Sequence, residues 1–163
     1  MTYTMPFPYS PDRAHNTPLF NKYLYDSWGH QEGFDMKVMA LQEALAASLF
    51  GVAPKYQRAF LLLGEPNSGK SQLLHVVSKM CPEEAVANIN PYIWDDSQNS
   101  FPLAQLSGKV INICAELDEK KCLPSRVFKS VVSADTAISA RHPHGQYSVS
   151  YTHLRAHETV LDL

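Results

Sequence analysis

Several large protein classes are excluded by what this chain lacks. Its 163 residues include three cysteines, Cys81, Cys114 and Cys122, an odd number with no C-x-x-C pair. Secreted disulfide scaffolds use even sets and structural zinc sites use closely spaced pairs, so neither organises this fold, and free thiols fit a reducing compartment. Excess positive charge is missing too. Lys and Arg number 14 against 16 Asp and Glu, a formal net charge of −2. That balance excludes the general basicity of proteins that coat nucleic acid and leaves any such contact to a local patch. No apolar run approaches the roughly 20 residues that a membrane helix requires. Met1 to Pro18 carries neither a basic leader nor an apolar core, so a soluble, cytoplasmic protein with no membrane partner is expected. There is also no internal repeat of the kind that builds solenoids and propellers.

What is present suits one ordinary domain: 45% hydrophobic, 10% aromatic and 18% charged residues. A chain of this length buries on the order of 70% of the surface it exposes when unfolded, enough for a core without staples. Four of the 11 prolines, Pro6, Pro8, Pro11 and Pro18, crowd into residues 1–18, a density that prevents helix and predicts an extended arm or linker.

Beyond the arm, Phe20, Leu24 and Trp28 predict a short helix, and Phe34, Val38, Leu41, Leu45 and Leu49 predict a second that Gly51 and Pro54 stop. Ala59 to Leu63 is a compact apolar run that reads as a buried strand, followed by a glycine loop and a helix over 72–80 with Leu73, Leu74, Val77 and Met80 on one face. Further strands are expected at Val86 to Ile89 and at Val110 to Cys114, a short helix within a long connection over 90–107, and a helix over 124–133. A hairpin is expected over 137–149, about the turn-like His142-Pro143-His144-Gly145. Strands alternating with helices predict an α/β domain with a mainly parallel sheet, preceded by short helices.

The most specific local signal is Gly64-Glu65-Pro66-Asn67-Ser68-Gly69-Lys70-Ser71, which satisfies G-x-x-x-x-G-K-[ST] without departure. Phosphates need several donors converging on one small volume. The glycines let the backbone turn its N–H groups inward, and the helix from Gln72 onward offers its positive end. Lys70 is expected to reach the β- and γ-phosphates and the Ser71 hydroxyl to bind Mg²⁺, with ATP or GTP as the ligand. Such a site also needs a carboxylate at the end of a neighbouring buried strand, to complete the Mg²⁺ shell and orient the attacking water. Glu116, after Lys109-Val110-Ile111-Asn112-Ile113-Cys114-Ala115, stands in that place, with Asp118 and Glu119 as alternatives farther beyond the strand.

Together these residues resemble the superfamily 3 helicases, in particular the helicase domain of phage and plasmid primases. The resemblance spans roughly 18–149. It rests on the helical segment LQEALAASLFG, on GEPNSGKS with Asn67 where that family commonly has Asn, on KVINICAEL ending in Glu116, and on FKSVVSADTAISAR, where Lys129 and Asp135 match its third motif. It implies an AAA+-like P-loop NTPase core binding ATP and Mg²⁺, assembled as a homo-hexameric ring with ATP between subunits. It further implies unwinding of single-stranded or forked DNA during replication, in the cytoplasm of a prokaryotic host. Ala134 stands where a Gly often precedes the Asp, and a single acid, Glu116, stands where some members carry two, so which carboxylate orients water stays open.

The family continues to a strand bearing a sensor Asn and to an arginine finger, neither of which is found before residue 150. Residues 150–163 (SYTHLRAHETVLDL) resemble translated adaptor sequence, so a C-terminally truncated domain over 19–149 and a non-native tail are expected. Because an arginine finger is worth about 10³–10⁵ in rate, weak hydrolysis is expected of this chain. Lys129, Arg141, His142, His144 and Gln146 are candidates to meet DNA phosphates in a central pore. Two other readings of the P-loop stay open: a small-molecule or nucleoside kinase, for which few clamping arginines are present, and a noncatalytic nucleotide-binding assembly module.

Overall fold

The structure, a computed structural model, describes residues 4, 7–8, 10–11, 17–50, 52–95, 101–118, 120–133, 138–141, 147–150 and 160–162. Most of the expected Pro-rich arm lies outside them.

Helix α1 (Pro18–Trp28) opens with proline at its first position, where the missing N–H costs nothing, and α2 (Phe34–Leu49) follows Gly33, whose φ of 76° suits glycine. Their apolar faces meet, as the spacing predicts: Leu24, Trp28 and Leu41 are buried, with Phe20, Tyr23, Phe34, Val38 and Leu45 packed around them. Strand β1 (Leu61–Leu63), helix α3 (Lys70–Met80) and strand β2 (Val86–Ala87) come next, then α4 (Phe101–Gln105), β3 (Ile111–Asn112) and α5 (Ser125–Ser133). The chain closes with β4 (Ile138–Arg141), β5 (Tyr147–Ser150) and β6 (Val160–Asp162).

The described strands form three pairs. β2 and β3 run parallel, with Val86 opposite Ile111 and Ala87 opposite Asn112. β1 pairs in parallel with β6, Leu61 opposite Val160 and Leu63 opposite Asp162, so part of the segment expected to be a non-native tail lies beside the strand that feeds the phosphate loop. β4 and β5 make the expected antiparallel hairpin, Ile138 opposite Ser150 and Arg141 opposite Tyr147, while its turn lies outside the described residues.

Successive residues of a strand point to opposite faces, and two separate cores follow from that. Val86, Ile111 and Ile113 join Leu24, Trp28, Leu41, Leu73, Val77 and Leu62 in a core under α1, α2 and α3. Ala87 and Ile89 turn the other way, into a core with Trp94, Leu103, Ala104, Leu106, Val131 and Ala140. The β2–β3 pair is thus sandwiched between α3 and the α4–α5 layer.

Strands β2 and β3 are shorter than the apolar runs suggest because a side chain takes over the ladder. Asn112 accepts from the Ile89 N–H and donates to the Ile89 carbonyl, both at 2.9 Å. One amide therefore satisfies both backbone groups that the next ladder step would have used. Among the described residues, no helix is long and apolar enough to cross a membrane.

Candidate nucleotide-binding site

The loop between β1 and α3 takes its shape from its residue types. Positive φ falls at Gly64 (151°), Asn67 (64°) and Gly69 (92°), the two glycines and the asparagine, which among non-glycine residues tolerates the left-handed region best. Pro66 and Asn67 occupy the two central positions of a turn closed by the Ser68 N–H on the Glu65 carbonyl at 3.2 Å. Proline first and a left-handed residue second is the type II arrangement. Left-handed residues in a glycine-rich turn are a feature of the backbone concavities that hold anions.

The loop delivers the chain into α3, which is capped by Gly69 with no side-chain hydrogen bond and carries no acidic residue in its first turn. No carboxylate of that first turn offsets its positive end. Lys70, the first residue of α3, folds its ammonium back over the loop. Nζ donates to the carbonyls of Gly64 and Glu65, each at 2.7 Å, and to Ser68 Oγ at 3.0 Å. All three ammonium protons are thereby directed at loop atoms. Ser71 and Gln72 are exposed at the start of the helix, and the rest of the loop, Gly64 to Asn67, is exposed as well.

A contact from outside the motif braces the loop. The Tyr23 hydroxyl, on α1, donates to the Gly69 carbonyl at 3.0 Å, and that carbonyl also accepts the first helical bonds of α3 from Gln72 and Leu73. A Cβ at Gly69 would lie 3.0 Å from the Tyr23 ring and 3.1 Å from its hydroxyl. Glycine is required there twice, for its φ and for the neighbour. Burial pushes the Tyr23 hydroxyl above the usual phenol range, against a hydrogen bond with Ser27 that lowers it, so the group stays a donor through neutral pH.

Glu116 is exposed, three residues beyond Ile113, and Ile113 packs in one core with Leu73 and Val77 of α3. The carboxylate-bearing loop and the P-loop helix are thus anchored to the same apolar cluster. The Cys114 thiol donates to the Glu116 carbonyl at 3.2 Å, and burial raises its pKa, helped by the Glu116 charge and opposed by that bond. Farther along, the single O–H of Tyr92 is shared between the carbonyls of Asp118 (2.7 Å) and Lys121 (3.2 Å), and the Lys121 ammonium lies 5.9 Å above its ring. Tyr92 is itself held on a one-turn helix capped by Asn90 Oδ1. Asp118 is exposed, whereas Glu119 lies outside the described residues.

The donor set suits a polyphosphate with Mg²⁺. The loop offers amide N–H groups and an ammonium, and Ser71 and Glu116 are exposed oxygen donors of the kind Mg²⁺ takes. Among the described residues no group of three His, Cys, Asp or Glu side chains could hold a metal unaided. Mg²⁺ characteristically binds through one or two protein oxygens plus phosphate.

Of the expected DNA contacts, the described residues include Lys129 and Arg141. Lys129 is exposed on α5, just ahead of the buried Val131 and Val132, while Arg141 ends β4 in the hairpin. His142, His144, Gln146 and Asp135 lie outside the described residues. Between α5 and β4, a cavity of about 310 Å³ is lined by Asp95, Arg126, Ser130 and Ser139 together with apolar residues.

Sequence reasoning missed Tyr23, Asn112 and Tyr92. Tyr23 sits three residues after Phe20, a spacing that signals only helix packing; its second role depends on a contact 46 residues away in sequence.

No curated protein matches this chain. A family of unknown function (DUF5906) has a model that matches residues 62–155, from inside β1 through α3, β3 and the hairpin. The match covers more than half of the sequence, and the chain belongs to that family.

Proposed function

We propose that the chain is an ATP-binding P-loop domain of a replicative DNA helicase of the superfamily 3 type. The observation that carries the nucleotide reading is the Lys70 ammonium folded back over the glycine-rich 64–71 loop, bonded to two backbone carbonyls. Those carbonyls are neutral acceptors, so a phosphate oxygen is the stronger partner for the same ammonium, and Lys70 exchanges them for it. The backbone N–H groups of Gly69, Lys70 and Ser71, at the end of the loop and the start of α3, then hold the β-phosphate region. Ser71 Oγ and Glu116 would hold Mg²⁺, which when bound neutralises charge between the β- and γ-phosphates. Glu116 is also the group proposed to orient the attacking water by accepting its hydrogen bond.

The helicase part of the proposal rests on the resemblance of residues 18–149, with Lys129, Arg141 and His144 as the DNA-facing groups and a homo-hexamer as the working assembly. Titration calorimetry with ATP and with pyrophosphate, each with and without Mg²⁺, tests the nucleotide part. Lys70→Ala is expected to weaken both ligands about 100-fold, the scale of losing charge-assisted hydrogen bonds. Equal affinity in Lys70→Ala and the parent would refute it. Binding of forked DNA, and ring formation with ATP on a sizing column, test the helicase part. Nucleotide binding with neither would leave a nucleotide-binding module, and phosphoryl transfer to a small acceptor in place of water would identify a kinase.

A further inference from the structure

We infer that Tyr23 is a positioning residue of the phosphate loop, so that α1 belongs to the nucleotide site although it lies upstream of the segment that matches the family; the inference rests on the nucleotide reading given above. The Gly69 carbonyl is the hinge of the geometry. It closes the first turn of α3 through Gln72 and Leu73 at 2.9 and 3.1 Å, and the Tyr23 hydroxyl holds it from the opposite chain segment at 3.0 Å. Fixing that carbonyl fixes the peptide plane between Gly69 and Lys70, and with it the direction of the Lys70 N–H at the mouth of the loop. Gly69 has no side chain to hold its own orientation and sits at a φ of 92°, a region where glycine moves freely. Beyond the N–H groups of α3 itself, Tyr23 is the neighbour in contact among the described residues.

Tyr23 is well placed to be rigid. Its ring stacks on Phe20 with centroids 6.0 Å apart, and it packs on the core that holds Leu24, Trp28 and Leu73. The hydroxyl therefore reaches Gly69 from a side chain whose rotamer is already set by packing. A preorganised donor costs little entropy when ligand binds, which is how a residue that touches no phosphate raises affinity for one. The same bond makes communication reciprocal: whatever displaces α1 loosens the loop, and a phosphate that orders the loop holds α1 in place.

The test uses the full chain with Tyr23→Phe, which keeps the ring and removes only the hydroxyl. ATP and pyrophosphate should both bind roughly threefold to tenfold more weakly, by the same factor, while the melting temperature moves by no more than about 4 °C. Amide hydrogen exchange at Gln72 and Leu73 should speed up selectively, which general core loosening does not produce. Leu106→Ala, in the other core, is the control: it lowers the melting temperature and leaves the affinity of the folded protein within twofold. Tyr23→Phe binding as tightly as the parent, or Leu106→Ala weakening phosphate binding as much as Tyr23→Phe, overturns the positioning role. Lys70→Ala separates the two levels: if it binds like the parent the nucleotide reading fails and this inference with it, whereas loss in Lys70→Ala without loss in Tyr23→Phe sinks the inference alone.

Discussion

The core beneath the phosphate loop draws on helices of 11, 16 and 11 residues, α1, α2 and α3, whereas the core on the other face of β2 is assembled from a five-residue α4, a nine-residue α5 and irregular chain around Trp94. Burial is equally deep in both: Leu73 in the first and Leu106 in the second are each 1% exposed. What differs is what each core holds in place. The first carries the start of α3, Tyr23 and the strand that leads to Glu116. The second fastens the hairpin and the long connection, and the Tyr92 bonds are its reach toward the Glu116 loop. Equal burial with unequal neighbours separates the core that seats the 64–71 loop from the core that seats the hairpin.

Truncating matched leucines gives the largest effect and the sharpest way to break this comparison. Leu73→Ala and Leu106→Ala should each cost about 2–5 kcal/mol in denaturant unfolding, the usual range for deleting a buried leucine. Only Leu73→Ala should also weaken pyrophosphate binding by the folded protein, because the Leu73 side chain packs the start of α3 into the core that also seats Tyr23. Equal loss of affinity in the two variants would show that the cores are not functionally distinct.

A smaller effect is expected where the cores meet. Asn112→Ala leaves the Ile89 N–H and carbonyl without their partner, at a cost of about 1–3 kcal/mol by chemical denaturation. It should speed exchange of the Ile89 amide before that of the α3 amides. The smallest effect belongs to the ion pair on the outer face of α1, Lys22 to Asp26 at 2.6 Å with both side chains more than half exposed. Asp26→Asn should change stability by less than about 0.5 kcal/mol and leave phosphate binding unchanged, since exposed i,i+4 pairs contribute little.

Legibility in the sequence divides along the same line. Long helices repeat their buried positions often enough to be read, so the spacing of Leu24, Trp28, Val38 and Leu41 is sufficient by itself to announce α1 and α2. The loop at 64–71 is legible because each special backbone angle demands its own residue type, and Gly64, Asn67 and Gly69 supply them. Short elements carry no such redundancy. The ladder of β2 and β3 stops early through a single asparagine amide, and a lone polar residue inside Val110 to Cys114 does not declare that it will bond to the opposite backbone. The pairing of β1 with Val160–Asp162 joins residues far apart in the chain, and local pattern holds no record of that partner. Tyr23 is the clearest case: its position on the helix is readable from spacing, whereas its bond to Gly69 is a matter of tertiary geometry.

Each core encloses one of the two tryptophans in the sequence. Trp28 is fully buried and Trp94 is 3% exposed, and neither indole N–H has a hydrogen-bond partner among the described residues. Two buried indoles, one in the core under α3 and one against the Phe128 ring at 5.8 Å, give the chain a pair of intrinsic fluorophores that answer for different halves of it. Replacing either with phenylalanine isolates the other, and the two emission curves against denaturant then report whether the halves melt as one cooperative unit or in sequence.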